Sequence, residues 1–449
     1  MPQPKRTWIY PKIIKGKLYK YRALLSYFLL ALLFSAPFIK INGEQLILLD
    51  LLARKFVFFG VVFWPQDFYL FVLALLTLIV FIVLFTVVFG RVFCGWVCPQ
   101  TIFLEMVFRR IENWIEGDRI QQQKLDDGPL TADKFFKKTL KHSLFLLISF
   151  LIANTFLAYV IGSETLIRII TEPINVHLSG FISIGIFSLI FYLVFSRMRE
   201  LVCTVACPYG RLQGVLLDNQ SILVAYDYLR GEPRQKIKKA LETEHGDCID
   251  CNLCVQVCPT GIDIRNGTQM ECVNCTACID ACDMVMEKIH RPSRLIGFKS
   301  ETEIKTKSPF KVSTKIYGYT GVLLALVSIL LFLLISRSPV KTTILRASGT
   351  LYQLNDVNGT VSNLYTAEMV NKTNSTIHFQ IAPDDKNAQI QYIEKPDSIG
   401  YGGSTKTTFF LILPQTGITQ YKTSVTFRIL SNGKVLDRFE TTFIAPPKP

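Results

Sequence analysis

Histidine is scarce. Five occur in 449 residues, His142, His177, His245, His290 and His378. A membrane b-type haem needs paired histidines inside spans, and His142 and His177 sit only at the edges of apolar runs, so haem is a poor fit. C-x-x-C-H is absent, which argues against covalently attached haem. G-x-G-x-x-G and G-x-x-x-x-G-K-S/T are absent too, so no dinucleotide or nucleotide phosphate site announces itself. Electrons for any redox centre must therefore come from a donor outside the chain. Acid is in deficit: 35 Asp and Glu stand against 49 Lys and Arg, a net charge of +14. In a soluble protein that balance would suggest nucleic acid. Here the basic residues flank apolar runs, so membrane topology accounts for them and no nucleic-acid partner is expected. All twelve cysteines fall in four tight motifs. None is left for a structural disulfide, which suits a reducing compartment. The first apolar run lacks a clear small-residue cleavage site, so no cleavable signal peptide is expected.

Half of the residues are apolar, and they are concentrated in long runs. Five spans are expected: Ala23–Ile39, Phe68–Phe89, Ser143–Ile161, Leu178–Ser196 and Ile316–Ser336. Residues 40–67 are apolar but carry Arg54 and Lys55 mid-stretch. Each central charge costs about 2.5–3.5 kcal/mol against about 0.3–0.6 gained per Leu, Ile, Phe or Val, so this stretch reads as an interfacial or re-entrant loop. Residues 1–22 carry Lys5, Arg6, Lys12, Lys15, Lys17, Lys20 and Arg22 and no acid. That basic start is expected on the cytoplasmic side. Five spans then leave both membrane-edge cysteine motifs and the 240–292 block inside, and residues 338–449 outside. Residues 293–315, with Lys299, Lys305, Lys307, Lys311 and Lys315, read as a basic linker. The tail alternates polar and apolar residues over Val361–Ile381, Thr405–Leu413 and Tyr421–Leu430, and Asn432-Gly433 marks a hairpin. A seven-strand β-sandwich acting as an interaction module is expected there.

The most specific stretch is 248–282. Cys248, Cys251, Cys254 and Cys258 are followed by Cys272, Cys275, Cys278 and Cys282, each run spaced C-x2-C-x2-C-x3-C. This is the bacterial ferredoxin pattern for two [4Fe–4S] clusters, in which the fourth cysteine of each run serves the other cluster. Cys248, Cys251, Cys254 and Cys282 should hold one, and Cys272, Cys275, Cys278 and Cys258 the other. Zinc sites use four ligands, usually as separated pairs, and fit poorly. Pro259 follows the first run, whereas Asp283 replaces proline after the second.

The second and fourth spans end alike, in arginine and then C-x3-C-P: Cys94 and Cys98-Pro99, Cys203 and Cys207-Pro208. This reads as an internal repeat. In a helix, a spacing of four puts each pair on one face. Proline at the first turn of a following helix would place Cys98 and Cys207 at helix N-termini. Two matched pairs at matched membrane positions argue against inert core cysteines. Soft thiolates select Cu(I), zinc or iron–sulfur iron, and a redox disulfide is a further choice. Copper handling, a further cluster and dithiol chemistry all stay open.

R-V-F-C-G-W-V-C-P-Q, C-T-V-A-C-P-Y-G-R-L-Q-G, the double ferredoxin run and a β-rich tail after a last span together resemble the cytochrome c oxidase accessory proteins of the CcoG/FixG/RdxA family. The resemblance covers nearly the whole chain in order. It implies a multi-domain inner-membrane protein with a cytoplasmic 2[4Fe–4S] domain and a periplasmic immunoglobulin-like tail. It further implies a role in cbb3-type oxidase maturation, reducing Cu(II) to Cu(I). Cys94, Cys98, Cys203 and Cys207 are the expected copper-handling residues, and oxidase subunits or copper-delivery proteins the expected partners. The electron donor is left unidentified, and a homodimer is left open. The membrane part also resembles quinol-dehydrogenase-like polyferredoxins, which makes a quinol-linked carrier the rival reading. A non-redox assembly scaffold is a third.

Overall fold

The computed structural model describes residues 8–41, 43–51, 55–63, 67–236, 246–307, 313–347, 351–355, 359–373, 375–393, 398–400, 402–415, 418, 420–431 and 433–446. Lys5, Arg6, Arg54, His245, Lys311 and Asn432, named above, lie outside the described residues. The chain divides into two compact units, residues 1–38 with 73–328, and residues 39–72 with 329–449.

Five helices are long and apolar enough to cross a membrane: Lys17–Ser35, Phe68–Phe89, Ala132–Ile161, Leu178–Met198 and Thr314–Ile335. The first begins inside the basic stretch, because its N-terminal amides find a carboxylate: Asp280 accepts from the amides of Leu18 and Tyr19 at 3.1 and 2.7 Å. A negative charge at this end suits the helix dipole. The third helix begins eleven residues ahead of its apolar run, at Ala132 against Ser143, capped by Thr131. Within the first unit, apolar packing centres on Phe103, Leu104, Phe108, Phe145, Ile152 and Phe195. Phe108 stacks on Phe195 at 4.5 Å and meets Phe145 edge-on at 4.8 Å.

Below this aromatic layer lies a buried ionic group. Glu112 accepts from Arg199 at 2.8 Å and pairs with Lys141 at 3.5 Å, and Lys141 reaches Glu116 at 2.8 Å. Burial alone would raise the Glu112 carboxyl; the Arg199 guanidinium, then Lys141, reverse this and hold it below its ordinary range. Arg109, itself buried, donates to the carbonyl of Pro259 at 3.0 Å, tying this base to the ferredoxin module.

In the second unit, residues 40–63 form short antiparallel strands, among them Ile47–Asp50, Lys55–Phe58 and Val61–Phe63, rather than an open loop. Cross-strand amides satisfy the backbone there without requiring a helix. Among the described residues the tail forms a five-stranded, a three-stranded and a two-stranded sheet, where seven strands are expected. The longest strands, Thr360–Asn371 and Ser404–Pro414, pair antiparallel, as do Lys422–Ser431 and Lys434–Ile444. Alternation from Thr360 to Met369 sends Val361, Tyr365, Ala367 and Met369 inward, where they meet Phe409, Phe427 and Phe443. Buried Asp67 pairs with Arg337 at 2.6 Å and with Lys372. This pair of bonds ties the foot of the second apolar helix to the sandwich within that unit.

Candidate iron–sulfur centres and the membrane-edge thiols

The two ferredoxin runs fold alike. Asp250 and Asn252 in the first, and Asn274 and Thr276 in the second, all take left-handed backbone angles, at matching positions after Cys248 and Cys272. Left-handed residues spaced this way curl the chain so that successive groups face one concavity. Thr276 is β-branched, so its conformation is strained and must be held by its surroundings. Arg265 locks the first loop by donating to Asp250 at 2.6 Å, Asn252 at 2.5 Å and Asp263 at 2.7 Å. Helix Ala277–Lys288 follows the second loop and carries Cys278 and Cys282. Position 283 is therefore inside a helix, where proline would break the backbone bonding. Asp283 instead accepts from the Arg294 amide at 2.7 Å and fixes the returning chain.

Two cavities bring the cysteines together in the crossed sets. One has an empty volume of about 370 Å³ and is lined by Cys248, Cys251, Cys254 and Cys282, with Ile249, Leu253, Val285 and Leu295 among its walls. The other, of about 350 Å³, is lined by Cys258, Cys272, Cys275 and Cys278, with Val224, Ile262 and Ile264. Cys254 borders both, so the two sites are neighbours. We call them the outer and the inner quartet. Burial pushes the thiols of Cys254 and Cys275 up to about 11, and those of Cys272 and Cys282 up to about 12. Four thiolates in such a place need a metal centre's positive charge to neutralise them. Among the described residues no three Cys, His, Asp or Glu side chains close up as ligands of a single ion would. A four-iron cube holds its terminal thiolates well apart, so cavity, donor set and spacing all fit [4Fe–4S] clusters.

The membrane-edge cysteines also meet. Cys203 lies within electrostatic reach of Cys98, Cys94 and Cys207, and Cys94 within reach of Cys98 and Cys207. Burial raises Cys94 to about 11 and Cys203 to about 12. The members of a pair do not share one helix face. Cys94 lies in the short helix Val92–Trp96, and Cys98 caps the next, Pro99–Ile102. Cys203 lies in the π-turn Val202–Ala206, and Cys207 caps Pro208–Leu216. Each proline occupies the first helical turn, and the break it imposes turns the two thiols toward a common site rather than stacking them.

Residues that motif spacing does not reveal surround Cys94. Its Sγ is 3.2 Å from Oε1 of fully buried Gln213, which also accepts from Arg91 Nε at 3.1 Å. Arg91 Nη1 donates to the Met270 carbonyl. Gly95 presses on the inner loop so closely that a Cβ would lie 2.4 Å from the Val273 carbonyl. Cys94, Val273 and Cys275 consequently share one packed cluster, bordered by Tyr209 and Ala277. The histidines weighed for haem are engaged elsewhere: His142 Nδ1 meets the Tyr192 hydroxyl at 3.0 Å, and His177 meets Glu172 at 2.6 Å.

Comparison with known proteins follows the same map. Residues 198–301 match the family described as "4Fe-4S dicluster domain", 71–118 one described as "4Fe-4S binding domain", and 330–446 one described as "IG-like fold at C-terminal of FixG". Protein RdxB of Cereibacter sphaeroides is 36% identical over 84% of this chain and 82% of its own length. Protein RdxA of the same organism is 34% identical over 84% and 82%. Nitrogen fixation protein FixG of Rhizobium meliloti is 36% identical over 66% of this chain and 57% of its own.

Proposed function

Since this chain belongs to the CcoG/FixG/RdxA family of membrane iron–sulfur proteins, we propose that it passes single electrons through the outer and inner quartets to the four membrane-edge thiols, and that Cu(II) is the acceptor there. The observation that carries this reading is the packing of Cys94 against Val273 and Cys275, which sets an exit thiol beside the inner quartet. When loaded, each [4Fe–4S] cluster takes up and releases one electron. Cys254 stands between the two quartets, Cys275 faces the exit, and Cys94, Cys98, Cys203 and Cys207 receive the metal ion. One electron converts Cu(II) to Cu(I), and thiolate sulfur favours the product. In this reading the thiols are ligands and give up no electrons. The basic residues at the start of the chain support a topology with the ferredoxin module in the cytoplasm and the sandwich in the periplasm of a bacterial inner membrane. The Cu(I) so formed would serve assembly of a cbb3-type oxidase, through its subunits or a copper-delivery protein.

A second reading has its own support. The match over 71–118, described as 4Fe-4S binding, includes Cys94 and Cys98. The four exit thiols are also not drawn in as around one ion. A further cluster at Cys94, Cys98, Cys203 and Cys207 would make the chain a three-centre carrier. Iron, acid-labile sulfide and copper content of anaerobically purified protein separates the two. The wild type is compared with a variant in which all four are serine. Two ferredoxin-type clusters give about eight irons and eight sulfides. Retention of both with loss of copper binding and of Cu(II) reduction supports the reductase. Loss of iron in step with sulfide supports the third cluster and sinks the copper site.

A further inference from the structure

Arg22 is a charged residue buried where a charge is costly. It is 4% exposed, on the first turns of helix Lys17–Ser35. Its Nε donates to the carbonyl of Gly95 at 2.8 Å, between Cys94 and Cys98. Its Nη2 is buried and has no hydrogen-bond partner among the described residues. A buried guanidinium with an idle donor is expensive unless something negative faces it. Its position is imposed from the ferredoxin side. Asp280, on the helix that carries Cys278 and Cys282, holds the amides of Leu18 and Tyr19. Gly16 permits this, since a Cβ there would lie 2.1 Å from Asp280 Cγ. Gly95 in turn presses on Val273 and Asn274, immediately before Cys275, which sets Arg22 beside the inner loop; after burial, Arg22 is the strongest influence on the Cys275 thiol and acts to favour its thiolate. Glu105, bound to Arg109, opposes this more weakly. On the outer side the cation is offset: Arg265, the strongest influence on Cys254 after burial, is paired with Asp250 at 2.6 Å and Asp263 at 2.7 Å, and Asp283 stands near Cys282.

We propose that Arg22 is a positioning residue for electron transfer, a fixed cation set between the inner quartet and the Cys94–Cys98 turn that draws the electron to the exit side of the ferredoxin module. Uptake of one electron adds one negative charge to a cluster. A cation beside the inner loop, with no acid paired to it among the described residues, stabilises that reduced form, whereas the outer cation, Arg265, is offset by Asp250 and Asp263. The electron therefore moves from outer to inner quartet with the field, and the guanidinium's bond to Gly95 keeps the charge in place as the electron leaves for the exit thiols. This inference rests on the assignment of Cys258, Cys272, Cys275 and Cys278 to one cluster, and is independent of what the exit thiols bind.

The test is a redox titration of full-length, anaerobically purified protein followed by electron paramagnetic resonance, after iron and sulfide are counted. Cys275→Ser identifies the inner couple by its altered signal. Without two couples in the wild type, the cluster assignment itself fails. With two, Arg22→Gln should disfavour reduction of the inner cluster at least tenfold, about 59 mV for a one-electron couple, and leave the outer one unmoved. Arg22→Lys, which keeps the charge with a shorter reach, should recover most of that change. An unmoved inner couple in Arg22→Gln, or a shift in Arg22→Lys as large as in Arg22→Gln, overturns the proposal and leaves Arg22 a helix anchor. Should Arg22→Gln fail to hold iron, Arg22→Lys decides. A small fall confined to the inner couple sustains the proposal, and equal movement of both couples, or of neither, overturns it.

Discussion

The C-terminal sandwich and the ferredoxin module solve the same problem by different means. The sandwich fills its centre with Tyr365, Phe409, Phe427 and Phe443, all fully buried, with the rings of Tyr365, Phe409 and Phe427 5.5–6.0 Å apart. The ferredoxin module has a few aliphatic residues, Ile262, Ile264, Ile279, Leu295 and Ile296 with Met286, and packs cysteines against them. So small a domain buries too little apolar surface to offset chain entropy unaided, and metal supplies the difference. The sandwich owes its stability to area removed from water. The ferredoxin module spends its interior on ligands. The same contrast appears in the polar groups. Buried Asn363 of the sandwich both donates, to the Ile444 carbonyl at 2.7 Å, and accepts, from its amide at 3.2 Å, though Thr342 Oγ1 there has no partner among the described residues. Around the inner loop and the Cys94–Cys98 turn, Arg22, Trp96, Gln100 and Asn274 each keep a buried polar atom with no partner among the described residues.

Removing iron should break the comparison most forcefully. Anaerobic chelation is expected to release residues 246–300 from amide-exchange protection, while strands Thr360–Asn371 and Ser404–Pro414 keep theirs. Hydrogen exchange read by mass spectrometry checks this. Protection lost equally in both regions would mean that the sandwich depends on the clusters. The converse is Phe427→Ala, which deletes a ring from the centre of the sandwich. It should cost about 3–5 kcal/mol in that domain's unfolding free energy, with iron and sulfide content unchanged. Loss of iron in that variant would show that the two regions fold as one.

The crossed cysteine sets follow from spacing, because in this motif three ligands come from one short loop and the fourth from the partner run, and the two cavities are lined by the same sets. The five apolar helices were readable from charge-free length. The second half of each site was not. Arg22 looks like one more basic residue at a membrane edge, and Asp280 like a helix-surface acid, since the contacts that give them roles join residue 22 to 95 and residue 18 to 280. Gly95 and Gly16 carry no side-chain signal, and only the close approach of another segment gives them a role. Residues 40–67 read as an interfacial or re-entrant loop from the charges of Arg54 and Lys55, and strands of two to four residues leave too short an alternation to detect. The C-x3-C pairs looked helical by interval, yet the following proline splits each pair across two elements.

The finest distinction is between ion pairs that merely decorate and those that hold a ligand loop. Lys406 and Glu368 pair at 3.8 Å across two sandwich strands, both well exposed, and are worth little. Asp263 is also partly exposed, but it orients Arg265, whose other bonds fix the loop bearing Cys248, Cys251 and Cys254. The hydrogen bond from Arg265 is the main influence on Asp263 and holds its carboxyl below the ordinary aspartate range. A carboxylate lowered on folding stabilises the folded form above its unfolded pKa, and that contribution fades as pH falls through the lowered value. Asp263→Asn should therefore reproduce at neutral pH what acid does to the wild type. Allowing for solvent screening, the cost is on the order of 1 kcal/mol. The outer cluster should bleach about fivefold faster under chelator at pH 7, and the inner one at its wild-type rate. The gap between variant and wild type should close as the pH is lowered below the aspartate range. A variant that loses both clusters at one rate would mean that the two ligand loops open together, and that Arg265 secures the whole module rather than its outer half.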